Sequence, residues 1–259
     1  MSPQKTLLAI YLILIGALTV EAQRPSNSQA NSPTEMAAVY YNRGNERQAK
    51  GDFDGALQDY NFALTFNTKF AQAYNNRGVI MYLRGDLTSA IADYTKAIEL
   101  NPTYAEAFRN RANARYDKQD YDGAIADLNE AIRHKTNFAQ AYHNRGNARQ
   151  AKGDLDGALA DYTRAIELHP HYAAAYHNRG TARKEKRDYK GAIADFNQAI
   201  KFQPQRALSF AHRGLTQLQL GSDAEAEKDF AECLRLEPGL KNLLDSRIKE
   251  AREQRLAAQ

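Results

Sequence analysis

The sequence of 259 residues contains one cysteine, no tryptophan and seven prolines. A single thiol forms no internal disulfide, so a disulfide scaffold, a CxxC zinc site and an iron-sulfur cluster are excluded together. No Asn-x-Ser/Thr acceptor with x other than proline occurs, which fits a bacterial exported chain better than a eukaryotic secreted one. There is no GxSxG, Walker A, GxGxxG or HExxH string, and no nucleophile beside a base in a recognisable motif. The sequence therefore implies no enzyme activity, no cofactor and no metal. An excess of one charge is also lacking: 35 Lys and Arg against 31 Asp and Glu leave +4, the interspersed pattern of a solvated surface.

Long apolar runs are absent beyond the first twenty residues. The one run, Thr6 to Val20, follows Lys5 and precedes Val20-Glu21-Ala22, small residues spaced as a signal peptidase requires. A signal peptide over residues 1–22, cleaved after Ala22, is expected, with an uncleaved membrane anchor as the alternative, the run being shorter than the ~20 residues of a relaxed span. No cysteine follows it, so a lipid anchor is excluded. Residues 23–36, rich in Ser, Asn, Gln and Pro, read as a disordered linker. The expected location is exported, periplasmic or secreted.

What the remainder has is a period. Pro102, Pro170, Pro204 and Pro238 are separated by multiples of 34, and aligning Gly44, Gly78, Ala112, Gly146, Gly180 and Gly214 gives six windows without insertion or deletion: 37–70, 71–104, 105–138, 139–172, 173–206 and 207–240. Counted within each window, position 4 is aromatic throughout, position 20 is always alanine, and position 24 is Tyr60, Tyr94, Leu128, Tyr162, Phe196 and Phe230. In the fourth window Leu155, Ala158, Leu159, Tyr162, Ala165 and Ile166 recur at helical spacing. The reading is a helix A over positions 2–14 and a helix B over 17–30, with aspartate at 16 (Asp52, Asp86, Asp120, Asp154, Asp188) capping helix B and Gly51, Gly85, Gly153 and Gly221 at 15 taking the left-handed turn. A hairpin of this kind leaves one flank uncovered unless a neighbour packs on it, so the repeats must stack. Residues 241–259, with Leu244, Ile248 and Ala251 on one face and Asp245, Lys249, Glu250, Arg252 and Glu253 elsewhere, read as a capping helix, and acidic Asp223 and Glu227 mark the decay of window six at the array's end.

These positions resemble the tetratricopeptide repeat, with small residues at 8, 20 and 27, large ones at 4 and 24 and proline at 32. The resemblance implies an all-α fold, a right-handed α-solenoid of six antiparallel helix pairs plus a C-terminal capping helix, and a protein-binding adaptor or scaffold whose groove is lined by helix A positions 2, 5, 6, 9, 12 and 13. Only Glu106, Arg109, Asp117, Lys184 and Glu185 carry charge among the 36 such positions, so no nucleic-acid partner is expected. Amides stand there instead: Asn42, Asn76, Asn110, Asn144 and Asn178 at position 6, and Asn45, Asn113 and Asn147 at position 9. A carboxamide has a donor and an acceptor, so such a ladder can bond the backbone of an extended peptide. It resembles the asparagine ladder in the repeat superhelix of O-linked N-acetylglucosamine transferase, although local bonding of the asparagines is an equal reading. Arg109, Tyr82 and Tyr116 complete the candidate peptide-binding groove. Family members that clamp a C-terminal carboxylate use a set matched here only by Arg109, Asn113, Asn144 and Asn178, with two of three cations missing.

Position 7 is Arg43, Arg77, Arg111, Arg145, Arg179 and Arg213, and position 23 is Asp59, Asp93, Asp127, Asp161, Asp195 and Asp229. Matched ladders of opposite sign are read as structural ion pairs between helices A and B. His143, His177 and His212 fall at positions 5, 5 and 6 of adjacent windows, ordinary groove residues rather than a metal site. The expected partner is a protein or peptide, with a membrane involved only if the N-terminal segment is uncleaved. An assembly factor anchored in a membrane and an enzyme accessory subunit are the alternatives.

Overall fold

The computed structural model describes residues 32–257. The signal-peptide reading of residues 1–22 and most of the linker lie outside these. Among the described residues there are thirteen α-helices: α1 (Pro33–Ala49), α2 (Phe53–Phe66), α3 (Ala71–Leu83), α4 (Leu87–Leu100), α5 (Ala105–Asp117), α6 (Tyr121–His134), α7 (Ala139–Ala151), α8 (Leu155–Leu168), α9 (Ala173–Glu185), α10 (Tyr189–Phe202), α11 (Ala207–Gln219), α12 (Asp223–Leu236) and α13 (Lys241–Ala257), the last preceded by a 3-10 turn at Pro238–Leu240. Odd-numbered helices up to α11 are the A helices and even-numbered ones the B helices. No described helix is long and apolar enough to cross a membrane.

Helix boundaries follow from capping chemistry. Asp52, Asp86, Asp120, Asp154 and Asp188 each accept the backbone N–H three residues on, satisfying a donor that the first turn of helix B leaves orphaned. Gly51, Gly85 and Gly153, before three of them, and Gly221, before Ser222, adopt φ between 77° and 83°, the left-handed region open to a residue without Cβ. Helix α1 corrects the linker boundary, since it begins at Pro33 rather than beyond residue 36. Ser32 and Glu35 form a reciprocal capping box, Pro33 occupies the first turn, and Met36 and Ala37 are buried. A composition rich in Ser and Asn reads as disorder until the Ser-x-x-Glu spacing is recognised as a helix start.

The chain divides into two compact units, residues up to Ala114 and from Arg115 onward. In the first, α1 packs on α2, α2 on α3 and α3 on α4. In the second, successive helices from α6 to α12 pack on one another and α13 packs on α11. Both are all-α stacks of antiparallel helix pairs, the architecture of an α-solenoid. Within five of the six pairs the helices approach closely because position 8 is glycine, the third having Ala112: a Cβ at Gly146 would stand 2.6 Å from Tyr162 Cε1, and one at Gly78 would stand 2.8 Å from Tyr94 Cε1. The aromatic rings so admitted, Tyr60, Tyr94, Tyr162 and Phe196, are fully buried, each contributing about 1.5–3 kcal/mol of hydrophobic stabilisation. Leu244 and Ala251 of α13 close the C-terminal core against Leu218, Phe230 and Cys233, with Ile248 packed beside them.

Candidate functional site

The seam between helices A and B holds the arginine and aspartate ladders. Arg77 Nε and Nη2 donate to the two oxygens of Asp93 at 2.7 and 2.6 Å, and Arg145 to those of Asp161 at 2.9 and 2.7 Å. Arg179 pairs with Asp195 and Arg213 with Asp229 in the same fork, and Arg43 with Asp59. Two partners were not read from the sequence. Arginine at position 11 reaches the same carboxylate, Arg149 to Asp161 at 2.8 Å, Arg183 to Asp195 at 2.8 Å, Arg47 to Asp59 at 3.1 Å and Arg115 to Asp127 at 3.0 Å. The free Nη1 of the position-7 arginine crosses to position 25 of the preceding repeat, from Arg77 to Asn61, Arg111 to Thr95, Arg145 to Asn129, Arg179 to Thr163 and Arg213 to Asn197. The guanidiniums of Arg77, Arg145, Arg179 and Arg213 therefore join two neighbouring repeats as well as the two helices of their own.

The asparagines of the groove face are bonded to one another across repeats. Asn76 Nδ2 donates to Asn45 Oδ1 at 2.9 Å and to the Tyr41 hydroxyl at 3.2 Å, while Asn76 Oδ1 accepts from Asn75. Asn110 Nδ2 donates to Asn75 Oδ1, and Asn110 Oδ1 accepts from Arg109. Asn178 Nδ2 repeats the pattern on Asn147 Oδ1 at 2.8 Å and on His143 Nε2 at 3.0 Å. Asn147 Oδ1 and Asn45 Oδ1 also face the hydroxyls of Tyr162 and Tyr60. This corrects the simple ladder. The amide hydrogens of Asn76 and Asn178 are engaged within the stack, so these residues do not present both a donor and an acceptor. The position-9 Nδ2 of Asn147 and the position-6 Oδ1 of Asn178 stay uncommitted among the described residues. Asn42 is exposed on α1, Asn113 is half-buried on α5, and Asn144 Oδ1 lies 3.2 Å from His143 Nδ1. Tyr82 packs against the Ala90 and Tyr94 core of the first unit.

In the second unit the groove face forms a cavity of about 480 Å³ whose walls include Tyr116, Asn147, Gln150, Asn178, Thr181 and His212, with Glu185 as its one carboxylate and no lysine or arginine. Three sequence-predicted residues, Tyr116, Asn147 and Asn178, meet there, from three successive repeats. His177 and His212 come together with ring centroids 4.9 Å apart. Burial, reinforced by the cations Lys184 and Arg206, pushes His177 down to about 3 and His212 to about 4. His143 is lowered as well, chiefly by burial, and its ring has Asn178 donating to Nε2 and Asn144 Oδ1 facing Nδ1, as a neutral imidazole requires. Among the described residues no three His, Cys, Asp or Glu stand where they could hold a metal ion.

Family models described as TPR repeat match residues 44–83, 80–119 and 112–153, and models described as tetratricopeptide repeat match 139–172, 173–206 and 207–239. The chain belongs to the tetratricopeptide-repeat family. Its repeats are of the protein-interaction type: tetratricopeptide repeats bind protein or peptide partners and are typically non-catalytic scaffolds. Among solved structures, MamA is 28% identical, with a TM-score of 0.58 over 67% of this chain and 94% of that one. The pilF protein of Pseudomonas aeruginosa is 17% identical, with a TM-score of 0.74 over 86% of this chain and 99% of that one. YrrB, described as a TPR protein with an unusual peptide-binding site, is 21% identical, with a TM-score of 0.60 over 74% and 97%. The last two likenesses concern the tetratricopeptide fold alone. No curated protein matches the sequence.

Proposed function

We propose that the protein is a non-catalytic scaffold that holds an extended segment of a partner polypeptide along the groove face of its repeats, and that it acts outside the cytosol. The observation that carries the first part is the cavity of about 480 Å³ walled by groove positions of successive repeats, polar, with a single carboxylate and no cation. Such a wall suits a peptide backbone, which needs donors and acceptors, and does not suit a phosphate chain, which needs cations. The donors come from position 9 and the acceptors from position 6, as at Asn147 and Asn178, with the aromatic face of Tyr116 as apolar contact. Export rests on Lys5 followed by the uncharged run Thr6 to Val20, with Ala22 before the cut.

The test uses random twelve-residue peptides displayed on phage and selected on the protein. A photo-crosslinking residue in place of Ala151, at the cavity's edge, should capture the selected peptides. The same residue in place of Lys190, on a B helix, should not. Affinity should change less than about threefold between low and high salt, since few fixed charges line the path. Capture only at position 190 would move the site off the groove. N-terminal sequencing of the exported protein should begin at Gln23, and a chain still beginning at Met1 would favour the anchored alternative.

A further inference from the structure

The C-terminal end of the second unit holds two cavities that meet. The first, of about 370 Å³ between α11 and the stretch from Leu240 to Arg247, is walled by Leu208, Ala211, Leu215, Leu243, Leu244 and the buried Cys233. Leu208 and Leu243 are 41% and 55% exposed, so this apolar lining opens to water. The second, of about 660 Å³, lies between the end of α9 and α13 and is mostly polar, with Arg187, Gln219, Glu250 and Gln254 on its walls. Lys184, Leu215 and Arg247 line both. The boundary between an apolar chamber and a polar one is thus marked by two cations, one from α9 and one from α13.

Lys184 is half-buried, and burial pushes its ammonium below the usual range, with Glu185 opposing the effect and Arg247 adding to it. The carboxylates of the polar chamber are engaged: Glu185 accepts a hydrogen bond from Gln150, and Glu250 pairs with Arg247 at 3.0 Å. Among the described residues no carboxylate makes an ion pair with Lys184 or with the exposed Arg187. A partly desolvated ammonium without a counter-charge favours an anion brought to it, and an apolar patch open to water favours a group that covers it. Both demands are met by one molecule that carries an anion at the end of an apolar chain.

The two volumes narrow the chemistry further. A cavity of about 150 Å³ holds a six-carbon ring, so 370 Å³ suits one alkyl chain of roughly ten to fifteen carbons and not two. The polar chamber is larger than a bare carboxylate needs. It offers the guanidiniums of Arg187 and Arg247, the ammonium of Lys184 and the amides of Gln219 and Gln254, charged and neutral donors suited to the several oxygens of a phosphate. We infer that the joined cavities bind a single-chain amphiphile, with its alkyl tail between α11 and α13 and a phosphate head in the polar chamber against Lys184, Arg187 and Arg247. The chambers share only Glu185 and His212 with the groove cavity of about 480 Å³, so this ligand and a peptide in the groove take different walls.

Isothermal titration of the full chain with decyl phosphate, kept below its micelle concentration, tests this. Decyl phosphate should bind at least about tenfold more tightly than decanol, as loss of charge-assisted contacts implies, and octyl phosphate, shorter by two buried methylenes, roughly tenfold more weakly than decyl phosphate. Lys184→Gln and Arg187→Gln should each narrow the gap between decyl phosphate and decanol while leaving decanol unchanged. Leu243→Ser, at an exposed position, should weaken both ligands, and all three variants should keep the melting temperature of the parent. Equal binding of decyl phosphate and decanol, binding no tighter than that of inorganic phosphate, or indifference to Lys184→Gln would overturn the site. Decyltrimethylammonium binding as tightly as decyl phosphate would overturn it too. An amidated peptide Gly-Ser-Leu-Leu-Ser-Gly that displaces decyl phosphate at equal concentration, or a dimer that Leu243→Ser dissociates, would assign the apolar chamber to a polypeptide instead. The groove reading fails separately: loss of crosslinking at position 151 with the phosphate selectivity intact removes the groove and keeps the amphiphile site, and the reverse removes the amphiphile site alone.

Discussion

Asp161 receives two guanidinium groups, from Arg145 and Arg149, whereas Asp93 is met by Arg77 with Met81 standing at position 11 of its repeat. The two buried carboxylates should therefore respond differently to loss of the position-7 arginine. Arg77→Leu orphans Asp93 and should destabilise the protein by about 1–3 kcal/mol, while Arg145→Leu leaves Asp161 paired and should cost roughly half as much. Urea midpoints of the two variants measure the difference, and replacing Asp93 by Leu in the Arg77→Leu background should restore most of the loss. Equal costs for the two single variants would show that the second arginine is energetically idle. The position-7 and position-23 ladders were legible because all six copies agree. The position-11 arginine was not, since it occurs in four windows and its aspartate already had a partner by sequence logic.

At the scale of the helix pair, the turn between A and B shows how one backbone conformation is met by different residues. Gly51, Gly85, Gly153 and Gly221 take φ between 77° and 83°, while Gln119 and Arg187 hold the same left-handed conformation at φ 63° and 62°. A side chain with a Cβ is strained there, so Gln119→Gly or Arg187→Gly should relieve it. Glycine also enlarges the freedom of the unfolded chain, which opposes the gain, and the net expectation is a stabilisation of up to about 1 kcal/mol in each case. A scanning-calorimetry midpoint that falls on either change would contradict this. Helix A, helix B and the turn between them were readable from period, cap and glycine, because each is fixed by contacts a few residues apart. The engaged hydrogens of Asn76 and Asn178 were not, since their partners Asn45 and Asn147 lie a whole repeat away and only stacking brings them within 2.9 Å. The cap helix shows the same limit. Asp223 and Glu227 read as decay of the repeat, yet they receive Arg255 and Arg252 of α13 and so dock the cap.

For the whole molecule the six histidines are unevenly placed: His134, His143, His169, His171, His177 and His212 all belong to the unit beginning at Arg115. His177 and His212 titrate near 3 and 4 in the folded chain, below the 6.5 of the unfolded one. Between these values the unfolded state binds more protons, so the stability they support is present above pH 6.5 and is lost as pH falls toward 4 and then 3. The slope reaches about 1.4 kcal/mol per pH unit for each histidine. Hydrogen exchange, corrected for its intrinsic pH dependence, should therefore show α9 to α12 loosening between pH 6.5 and 4.5 while the unit up to Ala114 keeps its protection. Replacing His177 and His212 by Phe should flatten that response. Uniform loosening of both units would assign the effect to carboxylates instead.

Cys233 is fully buried beside Phe230 and Leu244, and burial raises its thiol above the usual range. As the chain's only sulfhydryl it carries a native clock. An alkylating reagent reaches it only when the last helix pair parts from α13, and a stacked array frays from its ends first. The rate of single-site labelling in the unmodified protein therefore reports the opening frequency of the terminal repeat. Any contact that holds α12 against α13 would slow that clock, making the docking of the cap readable by mass without a tag or a substitution.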